Sequence, residues 1–482
     1  MTLIALPLIP LVAAGLIALA GRRAWMETVH ALAAVGTLGA GLAVAAQALR
    51  SGPVVALDGF LRADALSALM IAVIALLGGV AALYAPGYAR LAFDAAHAGR
   101  ARTLFGLFHL FIFTMLLAVC TDNLGVMWVA IEGTTLATVF LVNLHGTRTS
   151  LEAAYKYLIL SSVGIALAFI GTVLMYYAGA AQAGEIAVNW TSLRAAASSL
   201  NPQVVRLAFV FILVGYGTKM GLAPMHTWLP DAHSEAPAPI SALMSGVLLN
   251  VGLYAVMRFR AVADVAAGPD FAGRLLMGLG LLSLTVASVF LLRQRNYKRM
   301  LAYSSVEHMG VICLGLGFGG PWGVLGALLH AINHALSKSL LFILSGNILL
   351  KYRTTEIHRV RGLLHVSPLT GGAFLAGTLA LIGLPPFGLF ISEFIILRAG
   401  LEGDAVWVAA GGIVLLVIAF AGVLRSVNQM LYGRPDEDLP RGDALTWSLA
   451  PLTVNFALLL VTGLTLPPAL LGALNQVLQV IG

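Results

Sequence analysis

The chain has 482 residues, 60% hydrophobic and only 10% charged, and its mean hydropathy of +0.93 excludes an ordinary soluble domain. Its two cysteines, Cys120 and Cys313, both lie in apolar runs, which excludes a disulfide framework and supplies no zinc or iron–sulfur ligand set. The formal net charge of +7 is that of loops facing an anionic membrane surface, not of a nucleic-acid interface.

Apolar segments of about 20 residues, enough to cross about 30 Å of hydrocarbon, recur along the whole chain. The first covers residues 2–20. No Lys or Arg precedes it, so it reads as a span and not as a cleaved signal. Further spans are expected near 28–49, 63–85, 102–120, 122–144, 154–178, 204–222, 237–259, 271–292, 299–318, 322–350, 368–397, 404–431 and 447–468. This predicts an all-α polytopic membrane protein with about fourteen transmembrane helices, and leaves residues 469–482 too short to cross again. Arg22, Arg23, Arg90, Arg100, Arg102, Arg293, Arg295, Lys298, Arg299, Lys351, Arg353, Arg359 and Arg361 fall on one set of alternate loops. The positive-inside rule makes that face cytoplasmic and places both termini on the periplasmic side of a bacterial inner membrane.

Two spans are interrupted in similar ways. The seventh continues as "GYGTKMGLAPMHTWLPDAHSEAP", with Gly221 and Pro224 after Lys219; the twelfth reads "LALIGLPPFGLFISEFIIL", with Pro385 and Pro386 before Glu393. Each is the fourth of five consecutive spans, and because five is odd, two such sets in tandem enter the membrane with opposite orientation. The expected division is therefore 1–100 for three peripheral spans, 101–262 and 268–432 for two inverted five-helix repeats, and 445–482 for a last span and tail. Broken helices at matching positions of inverted repeats point to an ion site near the bilayer midplane.

Ionisable side chains inside spans support that reading. A charge at a helix centre costs about 2.5–3.5 kcal/mol on insertion scales, so such residues face cavities or partners. Glu132, Lys219, Lys338 and Glu393 stand in apolar surroundings, and "HAINHALSKSLLF" places His330, His334 and Lys338 at i, i+4 and i+8, on one helical face. His308 begins a second polar patch one span earlier. A lone histidine of this kind is ordinarily a hydrogen-bonded packing residue. Three ionisable groups in register suit proton hopping, because neutral imidazole accepts a proton at one nitrogen while donating at the other. Burial disfavours charged lysine and a nearby carboxylate favours it; a Glu132 that approaches and leaves Lys219 would therefore switch that lysine between holding and releasing a proton. A static Glu132–Lys219 ion pair fixing helix packing is the competing reading. Glu152 and Lys156 read as an interfacial i, i+4 pair, and no metal site is expected at His226, Asp231 and His233.

At these residues the chain resembles a known family. "TKMGLAPMHTWLPDAHSEAPAPISALMSG", "NYKRMLAYSSVEHMG", "HAINHALSKSLLFILSG" and "GLPPFGLFISEF" look like the signatures of the antiporter-like subunits shared by respiratory complex I, multi-subunit sodium/proton antiporters and membrane-bound hydrogenases. "EAAYKYLILSSVGIALAFIGTVLMYYAG" and "SGVLLNVGLYAVMRF" look most like the F component of hydrogenase-4. The resemblance implies two half-channels joined by a hydrated polar axis. It carries the proton-pumping pair onto Glu132 and Lys219, the connecting groups onto His308, His334 and Lys338, and an exit-side carboxylate onto Glu393. Asn250 stands where some relatives have a lysine or histidine. The function so implied is proton translocation within a redox-driven complex. The chain itself holds no redox centre, catalytic site or cofactor; its partners would be other membrane subunits, with soluble [NiFe] hydrogenase-like and iron–sulfur subunits held indirectly. Three alternatives stay open: a Na⁺/H⁺ antiporter subunit with no redox partner, the membrane module of an inorganic-carbon uptake complex, and a scaffold whose channel is inactive.

Overall fold

The computed structural model describes residues 1–93, 98–183, 188–435 and 439–481. Three helices, α1 (Thr2–Leu19), α2 (Arg23–Ser51) and α3 (Ala65–Ala92), come first. A small antiparallel hairpin, β1 (Val54–Ala56) on β2 (Leu61–Ala63), sits in the α2–α3 connection. Next are α4 (Ala98–Cys120), α5 (Leu124–Val142), α6 (Arg148–Ala183), short α7 (Trp190–Ala195) and α8 (Pro202–Met220). The middle of the chain forms α9 (Trp228–Glu235), α10 (Ala238–Leu243), a π-helical turn (Met244–Leu248), α11 (Leu249–Ala267), α12 (Pro269–Leu291), α13 (Tyr297–Phe318) and α14 (Gly320–Tyr352). Short α15 (Leu363–Val366), α16 (Pro368–Leu381), α17 (Gly388–Glu402), α18 (Val406–Leu431), α19 (Leu452–Leu464) and α20 (Pro468–Ile481) complete it.

Helix starts follow from side-chain chemistry. Asp64, Asn123, Asn201 and Asn296 cap α3, α5, α8 and α13 by accepting from the N–H of Ser67, Val126, Gln203 and Lys298 at 2.9–3.1 Å. Each cap satisfies a donor that the helix cannot satisfy itself. In lipid this matters more than in water, because no solvent replaces the bond.

Among the described residues, twelve helices are long and apolar enough to cross a membrane, or up to thirteen if α19 and α20, bent by 79°, count as one span. The expected twelfth span is two pieces, α16 and α17, of 14 and 15 residues. Within the expected tail, residues 469–481 are helical and belong to α20; residue 482 lies outside the described residues. Burial sorts the rest into layers. The span Ala238–Ala267 is entirely buried in its apolar window, α13 and α14 are 89% and 94% buried, while α1, α6, α12 and α18 are 28–39% buried. The centre is thus α10–α11, α13 and α14, and the rim faces lipid. Close helix approach at the centre depends on small residues: a Cβ on Gly280 would stand 2.8 Å from the Gly310 carbonyl, and one on Gly310 equally close to that of Gly280.

The two breaks share one local structure. After α8, Gly221 takes a φ of 76°, with its N–H on Thr218 O and the N–H of Leu222 on Gly217 O. After α16, Gly383 takes a φ of 69°, with its N–H on Ala380 O and the N–H of Leu384 on Leu379 O. Both positive φ values need glycine, and each glycine begins the stretch Gly-Leu-X-Pro. The freed backbone groups find partners, as they must at this depth: Trp228 Nε1 donates to Thr218 O at 2.9 Å, and Ala223 N–H donates to Ser283 Oγ at 2.9 Å. The second break is roofed by α19. A Cβ on Gly463 would come 2.0 Å from Pro386 O and 2.4 Å from the Phe387 carbonyl carbon. Gly463→Ala is therefore expected to push α19 off the break and destabilise the protein by about 1–3 kcal/mol, read as a lowered thermal midpoint in detergent. Gly472→Ala, with nothing within 4 Å, is expected to leave the midpoint unchanged.

Candidate functional site

The sequence-marked residues fall into two clusters, one on each side of α11. In the first, Lys219 occupies the last turn of α8, immediately before the break, and is fully buried. Its ammonium donates to Thr135 Oγ1 on α5, lies 3.5 Å from Thr134 Oγ1, and sits 5.4 Å from the centroid of the Tyr157 ring. Glu132, one turn before Thr135, is half-buried. It accepts from Thr135 Oγ1 at 3.0 Å through Oε2 and from Ser162 Oγ of α6 at 3.0 Å through Oε1. The expected pair therefore exists without direct contact: the Thr135 hydroxyl accepts from the lysine and donates to the carboxylate. Thr135 could be found in sequence only as a neutral group three residues after an acid, on the same helical face.

The second cluster is built on α13, α14 and α17. His308 Nδ1 lies 3.0 Å from His330 Nε2, and His330 Nδ1 lies 2.9 Å from Ser392 Oγ. Glu393 Oε1 stands 3.9 Å from His308 Nδ1, and its carboxylate packs against Gly383, where a Cβ would meet Oε2 at 2.2 Å. The His334 ring lies 5.4 Å from that of His308, centroid to centroid, tilted by 46°. Lys338 donates to Leu301 O at 2.9 Å and to Ser304 Oγ. His308, His330, His334 and Lys338 are all within 1% of complete burial. Donor atoms of His308, His330 and Glu393 lie within 4.8 Å of one another, but the 3.0 Å imidazole contact is itself of hydrogen-bond length.

The broken-helix residues divide in the same way: Gly221 and Pro224 follow Lys219, while Pro385 and Pro386 lie between Gly383 and Glu393. Between the clusters, α11 touches both. A Cβ on Gly252 would lie 3.3 Å from Lys219 Cβ, and Asn250 Nδ2 donates to Gly246 O of the π turn at 2.9 Å and to Ala331 O of α14 at 3.3 Å. A π turn at this position matches their frequent use at functional sites.

Several buried charges escaped the sequence reading. Glu307, beside His308, is 6% exposed. Asp64 and Arg258 form a buried ion pair. His30 and His109 join at 3.0 Å, with His30 Nε2 on Ala82 O at 3.1 Å. A carbonyl only accepts, so His30 Nε2 carries the proton and His109 Nε2 must donate to His30 Nδ1. That pair has one polarity. The His308–His330–Ser392 string ends instead on a hydroxyl, which can donate to His330 or accept from it while turning to Gly388 O or Leu389 O, at 3.2 and 2.9 Å. On the basic face, Glu152–Lys156 extends to Asp231 and Arg299 around a polar cavity of about 170 Å³. Asp231 is thus engaged by cations and not poised as a metal ligand.

Residues 121–419 match the family described as NADH:quinone oxidoreductase/Mrp antiporter, TM. A hydrogenase-4 component F homolog from Methylacidiphilum infernorum (isolate V4) is 39% identical over 415 residues, 85% of this chain and 86% of the relative. The fold is similar to that of a chain in the membrane-bound sulfane sulfur reductase, an archaeal respiratory membrane complex, with a TM-score of 0.88 and 25% identity over 98% of this chain and 97% of that one. It also matches a chain of respiratory complex I from Thermus thermophilus, with a TM-score of 0.83 and 24% identity over 99% and 98% of the two chains. The family match spans both breaks and both clusters of buried ionisable groups; the chain belongs to the NADH:quinone oxidoreductase/Mrp antiporter transmembrane family, as an antiporter-like membrane subunit of the hydrogenase-4 and complex I type.

Proposed function

We propose that this subunit moves protons along a buried polar axis running from Glu132 and Lys219, past Asn250, to Lys338, His334, His308, His330 and Glu393, with electron transfer in partner subunits supplying the energy. The observation that carries this reading is the His308–His330–Ser392 string beside Glu393, buried, hydrogen-bonded and ended by a hydroxyl that can donate or accept. Among the described residues, His308 Nε2 and both ring nitrogens of His334 have no aligned hydrogen-bond partner; buried polar groups of this kind are ordinarily satisfied by water, which would bridge His334 to Lys338. The polar cavity around Asp231 and Glu235 would serve as the cytoplasmic inlet and Glu393 as the outlet. Moving one charge against 100 mV takes about 2.3 kcal/mol, within reach of a changed carboxylate–lysine separation.

The two breaks, with the same capping bonds and the same Gly-Leu-X-Pro stretch, support inverted repeats at 101–262 and 268–432, and counting α16 with α17 gives fourteen spans. The relatives named above sit in respiratory or hydrogenase-4 systems, which favours hydrogenase-like and iron–sulfur partners in a bacterial inner membrane, with both termini periplasmic. Copurification of those polypeptides tests the partner. For the axis, His330→Leu is expected to lower proton uptake in vesicles about tenfold or more, the scale on which a proton-transfer group contributes. His109→Leu, which removes a buried histidine outside the axis, is expected to leave uptake near wild type. Equal uptake in His330→Leu and wild type would end the proposal.

A further inference from the structure

At the ends of the central helices, on the face opposite the basic one, a cavity of about 450 Å³ opens between α11, α12, α14 and α20. Its walls are mostly apolar, from Met257, Val324, Leu478 and Ile481. One end is charged. Arg260, 8% exposed, and Asp264, one turn later on α11, both line it. Arg260 Nε lies 3.1 Å from Asp264 Oδ2 but is not aligned for a hydrogen bond, and Asp264 Oδ1 has no partner. Arg260 and Asp264 are thus an ion pair, with Arg194 also bearing on the carboxylate, in which Arg260 Nε and Asp264 Oδ1 have no hydrogen-bond partner among the described residues, where buried polar groups are normally satisfied.

The same end is closed by the start of α14. Gly319 and Gly320 have φ of 68° and 63°; no side chain caps the helix, and nothing lies within 4 Å of where either Cβ would be. The first turn of a 33-residue helix, in which only Pro321 lacks an N–H, thus brings its positive dipole end to this end of the cavity. Depth is marked by Trp322, 57% exposed beside Pro321, since tryptophan favours the headgroup level. The bend of 79° before α20 turns that helix across the cavity.

We propose that this cavity binds one phospholipid with a primary ammonium headgroup, of the phosphatidylethanolamine type. The lipid phosphate lies against Arg260 and the N-terminus of α14, its ammonium donates to Asp264, and an acyl chain runs along Met257, Val324 and Leu478 into the bilayer. The juxtaposed charges of both signs choose this headgroup. An anionic lipid would leave Asp264 facing a negative headgroup, and a quaternary amine has no N–H to donate.

The test uses the full chain in its membrane complex, purified in mild detergent, with retained phospholipids identified and counted by mass spectrometry. Vesicle lipids with ethanolamine, choline or glycerol headgroups are then added back to delipidated protein, and the thermal midpoint is followed. Wild type is expected to retain the ethanolamine lipid and to be stabilised by it most. Arg260→Ala should weaken retention about tenfold or more, as for loss of a charge-assisted hydrogen bond. Asp264→Asn should keep a lipid but lose the preference for ethanolamine over glycerol headgroups. Val324→Trp, which fills the apolar end and leaves both charges in place, should exclude every lipid and so covers the case in which Arg260→Ala fails to fold. Wild type that retains no phospholipid, a headgroup ranking unchanged by Asp264→Asn, or occupancy by another polypeptide in place of lipid would each overturn the assignment.

Discussion

Replacing Arg258 with Met is expected to lower the stability of the subunit by about 3–5 kcal/mol, the cost of leaving a buried charge without its partner. Arg258 on α11 and Asp64 at the start of α3 are 4% and 3% exposed and form a two-pronged pair, with both nitrogen–oxygen distances 2.7 Å. The guanidinium also donates to Ser67 Oγ at 3.0 Å and lies between the rings of Trp190 and Tyr254, 4.3 and 4.8 Å from their centroids. Both terminal nitrogens of the cation are engaged, so its removal leaves an uncompensated carboxylate, not merely a gap. Asp64 also accepts from Ser67 N–H as the cap of α3; Asn keeps that capping geometry. The double variant Asp64→Asn, Arg258→Met should therefore recover most of the loss. Thermal unfolding in detergent reads the comparison, and a single variant as stable as wild type would show that this pair does not hold the first three helices to the centre. The pair also bears on the proposed axis, because α11 carries Asn250 and Gly252 between the two ionisable clusters.

What could be read from the sequence was what violates the apolar background. Lys219, Lys338 and the histidines of α14 stand out because a charged or polar group in a span has few harmless explanations. The breaks stand out because Gly221 and Pro224, or Pro385 and Pro386, cannot continue a helix. Three kinds of feature were not legible. Thr135 is neutral and helix-tolerated, so nothing marks it as the link between Glu132 and Lys219 until α5 and α8 are packed together. Glu307 adjoins the more conspicuous His308 in "AYSSVEHMG", and nothing in the spacing singles it out. His30 and His109, or Asp64 and Arg258, come from distant parts of the chain, and no local pattern pairs them. Residues 469–482 were read as a tail because length was judged against a crossing; α20 at 14 residues does not need to cross when it is bent away from α19.

Lys219→Ala is expected to reduce coupled proton uptake in vesicles about a hundredfold or more, while electron transfer by the partner subunits to soluble acceptors continues. The argument rests on distance. Two unit charges 4 Å apart attract by about 4 kcal/mol at an effective dielectric of 20, and by about 2 kcal/mol at 8 Å. A carboxylate shift of a few ångströms thus changes the hold on a buried ammonium by about the 2.3 kcal/mol that one charge needs against 100 mV. In this structure the two groups are separated by one hydroxyl, that of Thr135, which accepts from Lys219 and donates to Glu132. In the proposed mechanism that hydroxyl transmits the carboxylate's position to the lysine. Thr135→Val, of similar shape but without the oxygen, should therefore lose uptake by about tenfold, whereas Thr135→Ser, which keeps it, should remain near wild type. Ser162→Ala removes the other donor to Glu132 and should free the carboxylate without touching the link, giving a smaller loss than Thr135→Val. If Val and Ser at position 135 behave alike, the hydroxyl is packing and not a link, and Glu132 acts on Lys219 by another route. If Lys219→Ala pumps as wild type does, the axis does not begin at this lysine.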